Sequence, residues 1–264
     1  MTDYRVKTAE CMNAAVKSTR SNWAILTTRR LRRSVTITAM LGWSVSALPT
    51  LATTNLVHSN YWVFLNRGVS QSPLDKETAQ QMQADHIANL TRLGHEGRAL
   101  AAGPLGEGGD IRGIVILHLA PGASVSDCFT NDPFVQNHRL VVESHPWLLD
   151  ERQIHPADEP FKIRQYSLGI LKRGANWEPL PAPLNSDSLE TLAPTLRTLR
   201  GRSQLAVAGP MLDDTPLVGT LLFTTTNRTA LKESLDADPA IKSGRLTVEL
   251  HSQYLGQGVF GPGK

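Results

Sequence analysis

The sequence predicts an α+β fold built twice over. Three observations carry that expectation. The chain matches itself at a fixed offset of 106 residues, each copy alternates short β-branched or aromatic runs with one long helical pattern, and glycine and proline punctuate both copies at the same places. At this offset Leu65-Asn66-Arg67-Gly68 falls on Leu171-Lys172-Arg173-Gly174, and Gly103-Pro104-Leu105 on Gly209-Pro210-Met211. Gly113 falls on Gly219, Asp132-Pro133 on Asp238-Pro239 and Val142-Glu143 on Val248-Glu249, without a gap over about 80 residues. Two homologous domains are therefore expected, at 56–150 and 161–257. The charged stretch from 148 ends in Pro160, and its core at 151–160 reads as the linker.

Before the first copy stands a leader, residues 1–52. Arg29, Arg30, Arg32 and Arg33 form a basic cluster, and Val35 to Leu51 is an uncharged apolar run diluted by Ser and Thr. The pattern is that of an export signal, with Thr50-Leu51-Ala52 as the cleavage site and a mature chain starting near Thr53. A periplasmic or secreted protein is expected on that reading, and a cytoplasmic one if the true start lies downstream. Seventeen residues interrupted by polar groups make a poor permanent membrane span. The leader also carries the positive charge. Of 27 Lys/Arg and 24 Asp/Glu, residues 1–52 hold eight and two, so the remainder is mildly acidic and nucleic acid is not expected as a partner. The two cysteines, Cys11 and Cys128, lie on opposite sides of that cleavage site. They build neither a disulfide framework nor a metal site, and Cys128 reads as a small buried side chain.

Within the first copy, Tyr61 to Leu65 reads as a strand. Asp75 opens a helix running from about Lys76 to Gly94 or Gly97. Ala99 to Gly103 and Ile114 to Leu119 are strands on either side of GPLGEGGD, which opens no helix and so reads as a solvent-exposed hairpin turn, not a phosphate loop. Gly122-Ala123-Ser124 introduces a short helix ending near Thr130, and Leu140 to Ser144 is the last strand. The order β-α-β-β-α-β is the split arrangement of ferredoxin-like folds. Both helices on one side leave the other sheet face bare, and a second copy in the same chain is the expected cover.

The chemistry narrows to two residues. On the long helix Ala79, Met82, His86, Asn89, Leu90 and Leu93 share one stripe, so His86 is expected to face the sheet. The positions matching Gln83, His86, Leu90 and Leu93 are Leu189, Leu192, Leu196 and Leu199, which makes the histidine the odd member of an apolar stripe. Asp132 is retained as Asp238. Its local explanation is a cap before proline; its functional one is a carboxylate that orients His86 and raises its basicity. Both readings stay open, as does that of His86 as a satisfied core residue. His118, His138 and His145 lack metal-ligand spacing. Arg98 and Glu143 could line a polar cleft beside His86, and Ser72 and Asn89 are further polar neighbours. Asn89-Leu90-Thr91 and Asn227-Arg228-Thr229 fit a glycosylation pattern that is frequent by chance.

The first copy resembles the YCII-related family of small YciI-like proteins. The resemblance rests on YWVFLNRG at 61–68, His86-Ile87-Ala88-Asn89-Leu90, Gly97 with the Ala102-Gly103-Pro104 turn, Gly113, and Asp132-Pro133-Phe134 followed by a strand ending at Pro146-Trp147. It covers about 90 residues; the second copy keeps the frame but is degenerate. The resemblance implies two ferredoxin-like repeats packed sheet to sheet as an intramolecular dimeric α/β barrel. It also implies catalytic residues at His86 and Asp132, a small-molecule substrate, and a lyase or isomerase reaction with no cofactor and no metal. Because Leu192 replaces the histidine, the pseudo-dimer would hold at most one complete pair. Further homo-oligomerisation and a non-catalytic binding role are left open.

Overall fold

The computed structural model describes residues 59–150, 153–158 and 161–260; the leader with its export signal, and Cys11, lie outside the described residues. The chain is α+β, with two four-stranded antiparallel sheets. The first half runs β1 (Asn60–Arg67), α1 (Lys76–His95), β2 (Ala99–Pro104), β3 (Ile111–His118), α2 (Val125–Phe129), α3 (Pro133–Gln136) and β4 (Leu140–Pro146). The second runs β5 (Ile163–Arg173), α4 (Ser188–Leu192), α5 (Thr195–Gly201), β6 (Leu205–Pro210), β7 (Leu217–Phe223), α6 (Arg228–Asp236), α7 (Pro239–Lys242) and β8 (Leu246–Gly256). The sheets have the orders β2-β3-β1-β4 and β6-β7-β5-β8, so corresponding strands occupy corresponding places. Among the described residues no helix is long and apolar enough to cross a membrane.

The 106-residue offset reaches into irregular details. A bulge breaks the β1–β3 register at Leu65/Asn66, and another breaks β5–β7 at Leu171/Lys172. His138 and Ser203 adopt positive φ, and their counterparts are Gly244 and Gly97, also at positive φ. Glycine tolerates that region at no steric cost, so each non-glycine exception occupies a backbone conformation fixed by its surroundings.

Local signals explain α1. Asp75 Oδ1 accepts from Thr78 N at 2.8 Å, Glu77 lies in the first turn, and Arg92 and His95 in the last. Its buried residues are Met82, Ile87, Asn89 and Leu93. The inward stripe is thus shifted from the one expected: Ile87 is buried, whereas His86 lies at its border with 12% of its side chain exposed. In the second half Leu189, Leu192, Leu196 and Leu199 are all buried, but the helix there is broken between α4 and α5 at Ala193-Pro194. Pro194 lacks an amide hydrogen and its ring clashes with the preceding turn.

The bare sheet faces meet. Trp62, Phe64 and Ile116 from the first sheet share one core with Tyr166, Leu168 and Leu222 from the second. At the rim the contacts come in reciprocal pairs. Trp147 Nε1 donates to Gly209 O at 2.9 Å, and Gln253 Nε2 donates to Gly103 O at 2.9 Å. Leu212 N donates to Pro146 O at 2.9 Å, as Gly106 N does to Ser252 O at 2.8 Å. Adding 106 to one member and subtracting it from the other converts each contact into its mate, the self-complementary pattern of a two-fold interface. One expectation needs correction here. The GPLGEGGD turn is not simply solvated, because Glu107 accepts from Ser252 N at 2.8 Å and pairs with Arg228. Between the halves, Ile154 bridges to Phe260 and His155 N donates to Val259 O at 2.9 Å.

The close approach at the rim has a consequence for Gly103. A Cβ there would lie 1.9 Å from Tyr254 O, a backbone atom of the other half. Gly103→Ala is expected to destabilise the chain by about 1–3 kcal/mol, read as a lower urea midpoint; an unchanged midpoint would mean that the halves do not approach this closely.

Candidate functional site

Asp132 begins α3 as its N-cap, its Oδ1 accepting from Phe134 N at 3.1 Å and Val135 N at 3.4 Å. Proline at the first helical position suits this start, because the missing amide hydrogen would have found no partner there. That arrangement turns Oδ2 toward α1, where His86 Nδ1 lies at 2.6 Å and Asn89 Nδ2 at 3.4 Å. Asp132 is fully buried. Burial opposes its ionisation, but the hydrogen bond and charge of His86, the Val135 amide and Asn89 outweigh it and hold the carboxyl below its ordinary range.

These contacts assign the histidine's tautomer. An ionised carboxylate only accepts, so Nδ1 carries the hydrogen, and in the neutral ring Nε2 is left with its lone pair. Nε2 makes no hydrogen bond among the described residues, and the ring is packed edge-on against Phe134 with centroids 5.3 Å apart. Polar support surrounds the pair. Asn89 also donates to Cys128 O at 3.0 Å, and Arg92 donates to Asn89 Oδ1 at 2.8 Å, fixing the orientation of its amide.

The second half shows what the aspartate does without a histidine. Asp238 caps α7 by accepting from Ala240 N at 2.9 Å, and its Oδ2 accepts from Thr195 N at 2.9 Å. Thr195 corresponds to Asn89, and its amide is free to donate because Pro194 has broken the helix. The cap is common to both halves, while the His86 contact belongs to the first alone.

Of the further polar residues named from the sequence, Asn89 reaches the pair. Ser72 is exposed and its carbonyl is held by Arg139. Arg98 donates to Cys128 Sγ at 3.1 Å and lies 3.5 Å from Glu96. Burial raises the Cys128 thiol, with Arg98 opposing, so it stays protonated. Glu143 faces away from His86; it pairs in register with Phe64 of the shared core and contacts His145 at 3.1 Å. His145, set aside in the sequence, also lies 2.7 Å from Asp213. Its signal was present, since His145 and Glu107 fall on His251 and Asp213, titratable at both positions of each copy. His118 Nδ1 lies 2.8 Å from Asn60 Oδ1, and Asn89 is buried and engaged. Among the described residues no group of three or more His, Cys, Asp or Glu is placed to hold a metal ion.

No family model matches the chain, and no curated protein does. Solved structures of similar course include a putative monooxygenase from Lactobacillus acidophilus NCFM, at a TM-score of 0.43 and 11% identity over 76% of this chain and 97% of that one. A second is a putative monooxygenase from Fusobacterium nucleatum subsp. nucleatum ATCC 25586, at 0.42 and 9% over 76% and 94%. Likeness at this level says nothing of chemistry.

Two open cavities lie away from the pair. One of about 460 Å³ is bounded by Tyr61, Ser124, Val125 and Ser144, and another of about 600 Å³ by Arg164, Gln165, Thr224 and Gln257. Neither is lined by His86 or Asp132.

Proposed function

We propose that this chain is a small-molecule enzyme with a single acid–base site, in which His86 is the general base and Asp132 its orienting partner. One observation carries the reading: a fully buried aspartate 2.6 Å from Nδ1 leaves Nε2 unpartnered on a ring that is still partly exposed. A proton taken by Nε2 makes an imidazolium that Asp132 stabilises, a device typically worth about 10²–10⁴-fold. Abstraction of a carbon-bound proton followed by elimination or reprotonation needs no cofactor, so a lyase or isomerase is the reaction class. The architecture proposed with it is a duplication, two ferredoxin-like repeats closed as an intramolecular dimeric α/β barrel, in which the second repeat is a structural partner. The reciprocal rim contacts and the matched bulges support that ancestry. Residues 56–150 and 161–257 are the proposed repeats, and the leader is a proposed export signal.

The alternative is a non-catalytic binding module, favoured by the absence of His86 from both cavities. His86→Asn separates the two. The asparagine amide can replace Nδ1 as donor to Asp132 but offers no base at the Nε2 position. In a thermal-shift screen of the full chain against small metabolites, ligands of the native state raise the midpoint by mass action. For a compound so found, the enzyme reading expects wild-type turnover, detected by NMR, to fall at least about 100-fold in His86→Asn while the unliganded midpoint holds. Binding without turnover in either protein would establish the module instead.

A further inference from the structure

A second carboxylate-flanked histidine lies where the two halves meet. His145 is buried at 6% exposure, with Nδ1 2.7 Å from Asp213 Oδ2 and Nε2 3.1 Å from Glu143 Oε1. Glu143 stands on the same strand, whereas Asp213 belongs to the β6–β7 turn of the other half. The surroundings hold both carboxylates in place. Asn66 of β1 donates to Glu143 at 2.6 Å, and Thr215 donates to Asp213 at 3.3 Å. Asp214, the next charge on the turn, is taken by Arg173 of β5, and the Phe64 ring centroid lies 6.2 Å from that of the imidazole. Between two ionised carboxylates only an imidazolium supplies both donors; a neutral ring supplies one and no charge.

The counterpart position is built differently. His251 Nε2 makes no hydrogen bond and lies 3.9 Å from Glu249, while Glu107, the mate of Asp213, is held by Ser252 N and by Arg228. One end of the interface is therefore fastened through an imidazole and the other through a guanidinium, which does not titrate in the physiological range.

We propose that Glu143, His145 and Asp213 form a proton-operated clasp between the two halves, fastened by the imidazolium and loosened when the ring becomes neutral. The Nδ1 hydrogen bond to Asp213 then loses its charge assistance, and two carboxylates are left facing each other without a cation between them. Protonation of the carboxylates would remove the charges that the imidazolium joins and so release it as well. It is independent of the His86 site.

Amide hydrogen exchange on the full chain tests this with an internal control. Leu212 N–H donates to Pro146 O beside the imidazole clasp, and Gly106 N–H donates to Ser252 O beside the guanidinium one. Taking the ratio of their protection factors cancels the common pH dependence of exchange chemistry. Between pH 5.5 and 8.5 the Leu212/Gly106 ratio is expected to fall about fivefold in the wild type, the order of one lost charge assistance, and to stay constant in Asp213→Asn. A constant ratio in the wild type, or an equal fall in Asp213→Asn, would overturn the proposal.

Discussion

Replacing Asp132 with alanine is expected to lower the unfolding free energy by about 3–5 kcal/mol, the sum of a lost helix cap and a lost charge-assisted hydrogen bond to a buried carboxylate. The change strands His86 Nδ1 and two backbone amides at the start of α3, and leaves the Asn89 amide only its bond to Cys128 O. Asp238→Ala removes only backbone caps, at Ala240 and Thr195, and should cost less, about 1–2 kcal/mol. Urea midpoints of the two variants make the comparison; equal losses would mean that the histidine contact adds nothing to the cap. The pH dependence follows from the same carboxylate. Its folded pKa lies below the unfolded value, so its contribution is present in full above the ordinary carboxylate pKa of about 3.9 and is lost as pH falls through the folded value. Asp132→Asn should therefore flatten the acid limb of the stability profile, read as urea midpoints across acid pH.

Trp147→Ala should match that loss, at about 3–5 kcal/mol, the range for deleting a buried aromatic side chain. Trp147 is 2% exposed, packs edge-on against Trp62 with centroids 5.0 Å apart, and reaches across the interface to Gly209 O. Gln253→Ala, at the mate position, removes a polar side chain with the equivalent hydrogen bond and should cost about 1–2 kcal/mol. Calorimetry reads both. A single cooperative transition, lower in each variant, is the expected result, because the two sheets share one core. A Trp147→Ala chain that loses its first sheet while the second melts unchanged would show two independent domains.

The strands and the long helix were legible because their signals are local: alternation, a capping aspartate, and glycine or proline at turns. The 106-residue offset was legible because one sequence can be aligned with itself. The break at Pro194 could have been read from the proline alone, but the matching leucines suggested an unbroken helix. The shift of the inward stripe toward Ile87 was beyond reach, since a rotation of a few tens of degrees about the helix axis leaves the sequence pattern nearly unchanged. His86 and Asp132 could be named as a pair, though not the 2.6 Å contact, which depends on where the α3 cap aims its second oxygen. Glu143 was offered only as one wall of a polar cleft beside His86, and it lies on the opposite sheet face because its register partner is Phe64 of the shared core. The His145–Asp213 contact joins residues 68 apart across the interface, and its one trace, titratable residues at both matched positions, shows only when the chain is aligned with itself.

In the proposed site the aspartate fixes the histidine with Nε2 free to act as a base. Nitrogen-15 NMR of the His86 ring in the full chain, at a pH where the imidazole is neutral, tests it most directly. A proton on Nδ1, a bare Nε2, and a shift toward the tautomer mixture of free imidazole in Asp132→Ala are the expected results. A wild-type ring protonated on Nε2 would contradict it, because the lone pair would then point into Asp132 and no base would face outward.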